Sequence, residues 1–393
     1  MKKELGMRDI SMRIQLADLC VKAKKLRLVG KFICPFLSAI NDSLRDFCVA
    51  LIKYEQLKFE ESQINNYFLK NKVSGSVVLV FDAKCAGNTY GDFANYLLLA
   101  KVLQSKFVVK FIIVTDEPGR HWRDMNLDEV KVLTDQYILL ASAVVHNPEA
   151  NVVLARSFNE VKVDEMLDLL IFRRKTNDRK LDFWDLHRLL IILYRKGWFG
   201  SESLLSKNDF TPPKVSPVDP YVVWHIRYGS KSATNKIESS ESFIENYKQL
   251  RNIFGNEIEI IVCSSSAGLS EIFKIAASNN FKLTSSREYS QDFRGDLGLA
   301  FHAKLFVQLG NGGVFQYFFF SSEEFLVTGL CLDGLGPVDR LLLNTKRTPY
   351  LHYPWLQESQ ILATEVYSPK SEFAPPTKWK EISINLKSRG LVE

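Results

Sequence analysis

The chain lacks the usual marks of metal and disulfide chemistry. Its cysteines, Cys20, Cys34, Cys48, Cys85, Cys263 and Cys331, form no CxxC pair and no Cys/His spacing typical of zinc. The six histidines are equally scattered, so neither a structural metal nor a disulfide framework has support, and the thiols are expected to be reduced. No apolar run is long enough to cross a bilayer: Ile33 to Ile40 is short and holds Pro35, and Tyr137 to Val145 is short as well. A basic N-terminus is not followed by the apolar core and cleavage site of a secretory leader, so the protein is expected to be cytoplasmic, peripheral to a membrane at most. No GxGxxG fingerprint and no short internal repeat is present. Positive charge is in only modest excess, 51 Lys and Arg against 45 Asp and Glu, which argues against a nucleic-acid partner.

Apolar and aromatic residues are plentiful. Hydrophobic residues make up 46% of the 393 positions and aromatics 12%, enough for large cores in two or three domains. Cations gather in residues 1–32, where Lys22 to Lys31 interleaves them with apolar residues. Such a run is first a solvated face and second a contact for an anionic membrane. Residues 1–72 read as a helical extension, with helical spacing over Leu37 to Tyr54.

From Ser76 the pattern becomes alternating strand and helix. Strands are expected at Ser76 to Asp82, Lys106 to Asp116 and Asn151 to Phe158. Helices are expected after Asp92, over Val163 to Arg173 and over Asp182 to Lys196, while Leu127 to Val145 fits helix or strand. Four prolines between Asn208 and Pro220 mark a linker. A second alternating unit follows: strands at Tyr221 to Ile226, Glu257 to Ser264, Phe281 to Ser286 and Glu324 to Gly329, and helices over Ser242 to Phe254, around Leu269 to Ala276 and over Asp296 to Val307. The pattern predicts an α/β protein of two Rossmann-like domains facing a central cleft. The expected boundaries are 1–72 for the extension, 73–214 and 215–360 for the two domains, and 361–393 for a C-terminal tail.

Four stretches carry candidate chemistry. In YVVWHIRYGS, Tyr221 to Ser230, a buried strand runs into His225 and Arg227. A guanidinium past the carboxyl end of a strand suits a phosphate, since its planar fork donates two parallel hydrogen bonds; pairing with a structural carboxylate is the plain alternative. In AGNTYGD, Gly87, Asn88 and Gly91 let backbone approach a ligand ahead of a helix, though strand-to-helix turns use glycine anyway. Asp92 there is a helix cap or a general base. In LGNGGVF, Asn311, Gly312 and Gly313 make an anion-binding helix start or a tight packing turn. Asp292 and Asp296 either accept ribose hydroxyls or cap the next helix, capping being the default.

The order of strand with HxR, helix, strand, helix, strand, acidic segment, helix and glycine-rich turn resembles the C-terminal half of fucosyltransferase-like glycosyltransferases of the GT-B architecture. GNTYGDFANYLLLAKVL is similar to the glycine-asparagine loop and first helix of the same enzymes, and the resemblance spans residues 76 to 335. It implies that Arg227, in the place of the arginine of an HxRRxD-like element, holds a donor pyrophosphate. His225, Asp296 and Asn311 to Gly313 would complete the donor site. Tyr228 and Ser230 depart from the second arginine and the acidic residue of that element, which weighs against fucose more than against a nucleotide-sugar donor. The resemblance implies metal-independent transfer, no cofactor, a glycan or lipid-linked acceptor, and a carboxylate base, Asp92 first and Asp82 second. A nucleotide-sugar epimerase and a non-catalytic nucleotide- or glycan-binding protein are the alternatives.

Overall fold

The computed structural model describes residues 76–82, 90–114, 127–157, 160–161, 169–172, 186–200, 202–218, 220–226, 239–309, 313–323, 325–329, 353–356, 379–390 and 392. The helical extension expected over 1–72 lies outside them. Val73–Asp333 and Pro349–Glu393 make one unit, which holds every element named below.

β1 (Ser76–Asp82) begins the first sheet. Its residues Val77 to Phe81 are wholly buried. A strand covered on both faces has no reason to alternate, so the sequence shows one continuous apolar run. Next come α1 (Tyr90–Gln104), β2 (Val108–Val114), α2 (Leu127–Val144), the single turn α3 (Pro148–Asn151) and β3 (Val152–Ala155). The segment that fitted helix or strand is thus the helix α2. β4 (Leu169–Phe172) corrects the helix expected over 163–173, because these four residues pair in parallel with Val77 to Val80. α4 (Leu186–Arg195) ends this half.

A 3-10 turn at Lys207–Asp209 leads into the proline segment. The second half then runs β5 (Tyr221–Ile226), α5 (Ser240–Phe254), β6 (Glu259–Cys263), α6 (Ser266–Ser278), β7 (Thr284–Ser285) and α7 (Phe293–His302). β8 (Leu305–Leu309), α8 (Gly313–Phe318) and β9 (Phe325–Gly329) follow. β8 is a second correction. The helix expected over 296–307 ends at His302, and Leu305–Leu309 is a strand paired with β5 on one side and β9 on the other.

The first sheet has strand order β3-β2-β1-β4 and the second β7-β6-β5-β8-β9, with parallel pairing between the described neighbours. Numbered from its own first strand, each sheet therefore reads 3-2-1-4, and the second adds a fifth strand. This is the doubly wound pattern, in which the order reverses beside the first strand.

Two helices tie the unit together. α1 packs on α2 and α4 of its own half and on α8 of the other. Phe93, Tyr96, Leu98, Leu99 and Val102 are all fully buried, so the helix is covered all round rather than along one stripe. α9 (Trp379–Ser388) comes from the expected tail. Its Trp379, Ile382 and Leu386 enter the core of the second half beside Trp224 and Phe243, and Trp379 Nε1 donates to Asn246 Oδ1 at 2.7 Å.

The proline segment is seated along α7. His302 Nε2 lies 2.9 Å from the Phe210 carbonyl oxygen, and the rings of Phe210 and Phe301 meet at 4.5 Å. Gly298 admits the chain there, because a Cβ on it would fall 2.2 Å from the Thr211 carbonyl oxygen. Nearby, Lys101 Nζ of α1 binds both carboxylate oxygens of Asp209, at 2.9 and 2.7 Å.

Candidate active site

The 3-2-1-4 order makes one reversal in each sheet, between β1 and β4 and between β5 and β8. Diverging connections at a reversal leave a crevice at the carboxyl ends of those strands, the usual ligand position in open parallel sheets. The glycine loop AGNTYGD leaves β1, the HxR element leaves β5, and LGNGG leaves β8. All three candidate loops therefore emerge at a reversal point.

At the first, Gly87 and Asn88 lie outside the described residues, whereas Tyr90, Gly91 and Asp92 form the first turn of α1. Gly91 is buried. Asp92, expected as a helix N-cap or a general base, is half-buried as the third residue of α1, within the first turn rather than at the cap ahead of it. A carboxylate there is favoured by the positive end of the helix dipole. Its carbonyl oxygen accepts from Asn95 Nδ2 at 3.2 Å.

At the second, His225 is buried near the end of β5 and lies in register with buried Gln308 of β8. Its ring centre is 6.4 Å from that of Phe306. Arg227, Asn311 and Gly312 lie outside the described residues. Gly313 is the first residue of α8, where a helix start was expected, but α8 spans only six residues. So short a helix brings few aligned peptide dipoles to an anion.

Elsewhere along the carboxyl edge of the second sheet the helix starts are capped by protein. Ser239 caps α5 by accepting from Ser242 N, and Ser265 caps α6 by accepting from Gly268 N. Asp292 caps α7, its Oδ1 accepting from Gly295 N at 2.7 Å. Gln136 of α2 adds a contact from the other half. Its Nε2 donates to Asp292 Oδ2 at 3.3 Å, and its Oε1 accepts from Arg294 N at 3.2 Å.

Asp296 is nearly fully buried one turn further on, and its Oδ2 accepts from Arg287 Nη2 at 2.6 Å. Burial holds its carboxyl above the usual range against the opposing pull of Arg287. Burial, then Asp296, pushes the Cys263 thiol at the end of β6 well above its ordinary value. The carboxylate is thus already engaged in a buried ion pair. Among the described residues no group of His, Cys, Asp and Glu could hold a metal ion, and no helix is long and apolar enough to cross a membrane.

An aromatic seam closes the space between α1, α7 and α8. Tyr90 stacks flat on Phe293 at 4.0 Å and 12°, and Phe293 meets Tyr317 edge-on at 5.6 Å and 62°. Tyr90 also touches Tyr137, at 5.1 Å. Tyr317 is fully buried, and burial, then Tyr137, Tyr90 and Asp92, push its phenol well above its ordinary range. These residues were not singled out in the sequence. The available signal was the placing of an aromatic residue at the start of α1 and α7 and one turn into α8.

No protein family and no curated protein matches the chain. Among solved structures it is similar to the E. coli heptosyltransferase WaaC with ADP, at 11% identity over 80% of this chain and 98% of that one, TM-score 0.38. The same enzyme with ADP-2-deoxy-2-fluoro heptose gives 11% identity, 80% and 99% coverage, and TM-score 0.40. The S. aureus MnaA-UDP co-structure gives 9% identity, 81% and 89% coverage, and TM-score 0.33. Likenesses of this size carry no argument about activity, which rests on the chain's own geometry.

Proposed function

We propose that this protein is a glycosyltransferase that moves a sugar from a nucleotide-sugar donor to a glycan or lipid-linked acceptor. One observation carries the reading: the two glycine loops and the HxR strand end, three separate stretches of sequence, all leave strands that flank a reversal of strand order. Nothing about packing requires that coincidence, and a crevice for a nucleotide explains it.

In this reading the donor diphosphate lies past β5 and β8. Arg227 neutralises the charge that develops on the leaving diphosphate, with the Asn311 to Gly313 backbone beside it. Its guanidinium supplies the charge that a metal ion gives in other transferases. Asp92, at the start of α1, takes the proton of the acceptor hydroxyl. The basic stretch within residues 1–32 brings the enzyme to an anionic membrane that carries the acceptor, on the cytoplasmic side. The single arginine of the HxR element favours a nucleotide sugar other than the fucosyl donor that the resemblance first suggests.

The test is donor binding and turnover in Arg227→Ala. Thermal shift with ADP-, GDP-, UDP- and CMP-sugars should stabilise the wild-type protein with at least one of them. The variant should melt at the wild-type temperature without ligand and lose that stabilisation. An unchanged ligand shift in the variant refutes the assignment of Arg227. A product that keeps its nucleotide assigns an epimerase instead, and binding without any donor turnover assigns a binding protein.

A further inference from the structure

Tyr317 holds the one fully buried phenol in the aromatic seam whose hydroxyl has no hydrogen-bond partner. Buried phenols ordinarily find a partner, because an unmet hydroxyl forfeits its hydration. Phe293 and Phe210 flank its ring edge-on, at 5.6 and 6.1 Å. Stacked flat on Phe293 is Tyr90, the first residue of the fifteen-residue helix α1. Asp92 stands in the same turn, and α1 packs against α8. The starts of α1 and α7 and the side of α8 therefore bring together a carboxylate, an unmet hydroxyl and two half-buried rings, Tyr90 and Phe293.

That combination matches a sugar ring. A pyranose has C–H-rich faces that lie on aromatic rings, and hydroxyls that need a donor or acceptor at the rim. A bare phosphate would be repelled by the carboxylate, whereas a sugar offers a C–H face to the rings and hydroxyls to both the carboxylate and the phenol. We propose that Tyr90, Phe293, Asp92 and Tyr317 form the sugar subsite of the crevice, with the Tyr317 hydroxyl donating to a hydroxyl of the donor sugar. This rests on the transferase reading above. Without ligand the Tyr90 and Phe293 rings close on each other, and the sugar parts them and satisfies Tyr317.

Tyr317→Phe removes only the hydroxyl, and titration calorimetry with matched pairs (UDP and UDP-glucose, GDP and GDP-mannose, ADP and ADP-glucose) reads the result. The variant should melt at or above the wild-type temperature, because it loses an unmet polar group. Affinity for the nucleoside diphosphate should not change, while affinity for its sugar should fall about five- to tenfold, the worth of one hydrogen bond. Phe293→Leu should show the same split between nucleotide and nucleotide sugar. Equal sugar affinity in wild type and Tyr317→Phe overturns the subsite while leaving the transferase reading intact. So does a melting point lowered by several degrees, which would show a structural partner for the hydroxyl. A wild-type protein that binds none of these ligands, and no CMP-sugar either, refutes the transferase reading and the subsite with it.

Discussion

At the residue scale, charged groups here act mainly through what burial does to them. Asp292 and Asp296 are four residues apart and take different roles, because one faces the free amides of α7 and the other faces Arg287. From the sequence, each could accept ribose hydroxyls or cap the next helix, with capping the default. The sequence could not show which one caps, since that depends on where α7 starts. Asp296 is 5% exposed and its partner Arg287 32% exposed. Arg287→Ala should therefore strand a buried carboxylate and destabilise the protein by about 2 kcal/mol, less than the roughly 3–5 kcal/mol of a fully buried pair. The pH dependence of that loss has a definite sign. Burial already holds the Asp296 carboxyl above its ordinary range, and losing Arg287 raises it further. An acid whose folded value is raised binds its proton more tightly in the folded state, so the variant regains stability as pH falls through that raised value. Chemical denaturation at neutral and mildly acidic pH checks this. A deficit independent of pH would show that Asp296 is not the stranded group.

At the element scale, the sequence showed most strands but not the two that define the crevices. β1, β5, β6 and β9 stand where apolar β-rich runs predicted them. β4 and β8 did not, and both are fourth strands, lying next to the first strand of their sheets. Both are four or five residues long, and Leu305, Phe306 and Val307 of β8 are buried in succession. Such runs have no period of two, and β8 follows an amphipathic helix closely enough to read as its continuation. With those strands hidden, the candidate loops could be named but not placed at reversals. α7 is the element most exposed to test, since it seats the proline segment. Gly298→Ala would place a Cβ 2.2 Å from the Thr211 carbonyl oxygen, a backbone atom with little room to give. Alanine favours the helix by about 1 kcal/mol, but the clash should outweigh it and leave a net loss of about 1–3 kcal/mol. Thermal denaturation decides it, and a stabilised variant would mean that the segment does not lie against α7.

At the scale of the whole molecule, two parallel sheets share one strand order, and α1 is buried between helices of both halves. Composition and alternation made the α/β class legible. The contacts between halves were not, because Gln136 meeting Asp292 and Tyr90 meeting Phe293 join residues more than 150 positions apart with no local pattern. Those contacts bring the start of α1 and the middle of α2 to the start of α7, and the account of sugar transfer depends on that approach. The most direct measurement is a crystal structure of the protein with a bound nucleoside diphosphate. The account predicts the diphosphate at the carboxyl ends of β5 and β8, with Arg227 and the Asn311 to Gly313 backbone on its oxygens. A diphosphate bound anywhere else, or Arg227 turned from it toward a protein carboxylate, would contradict the account.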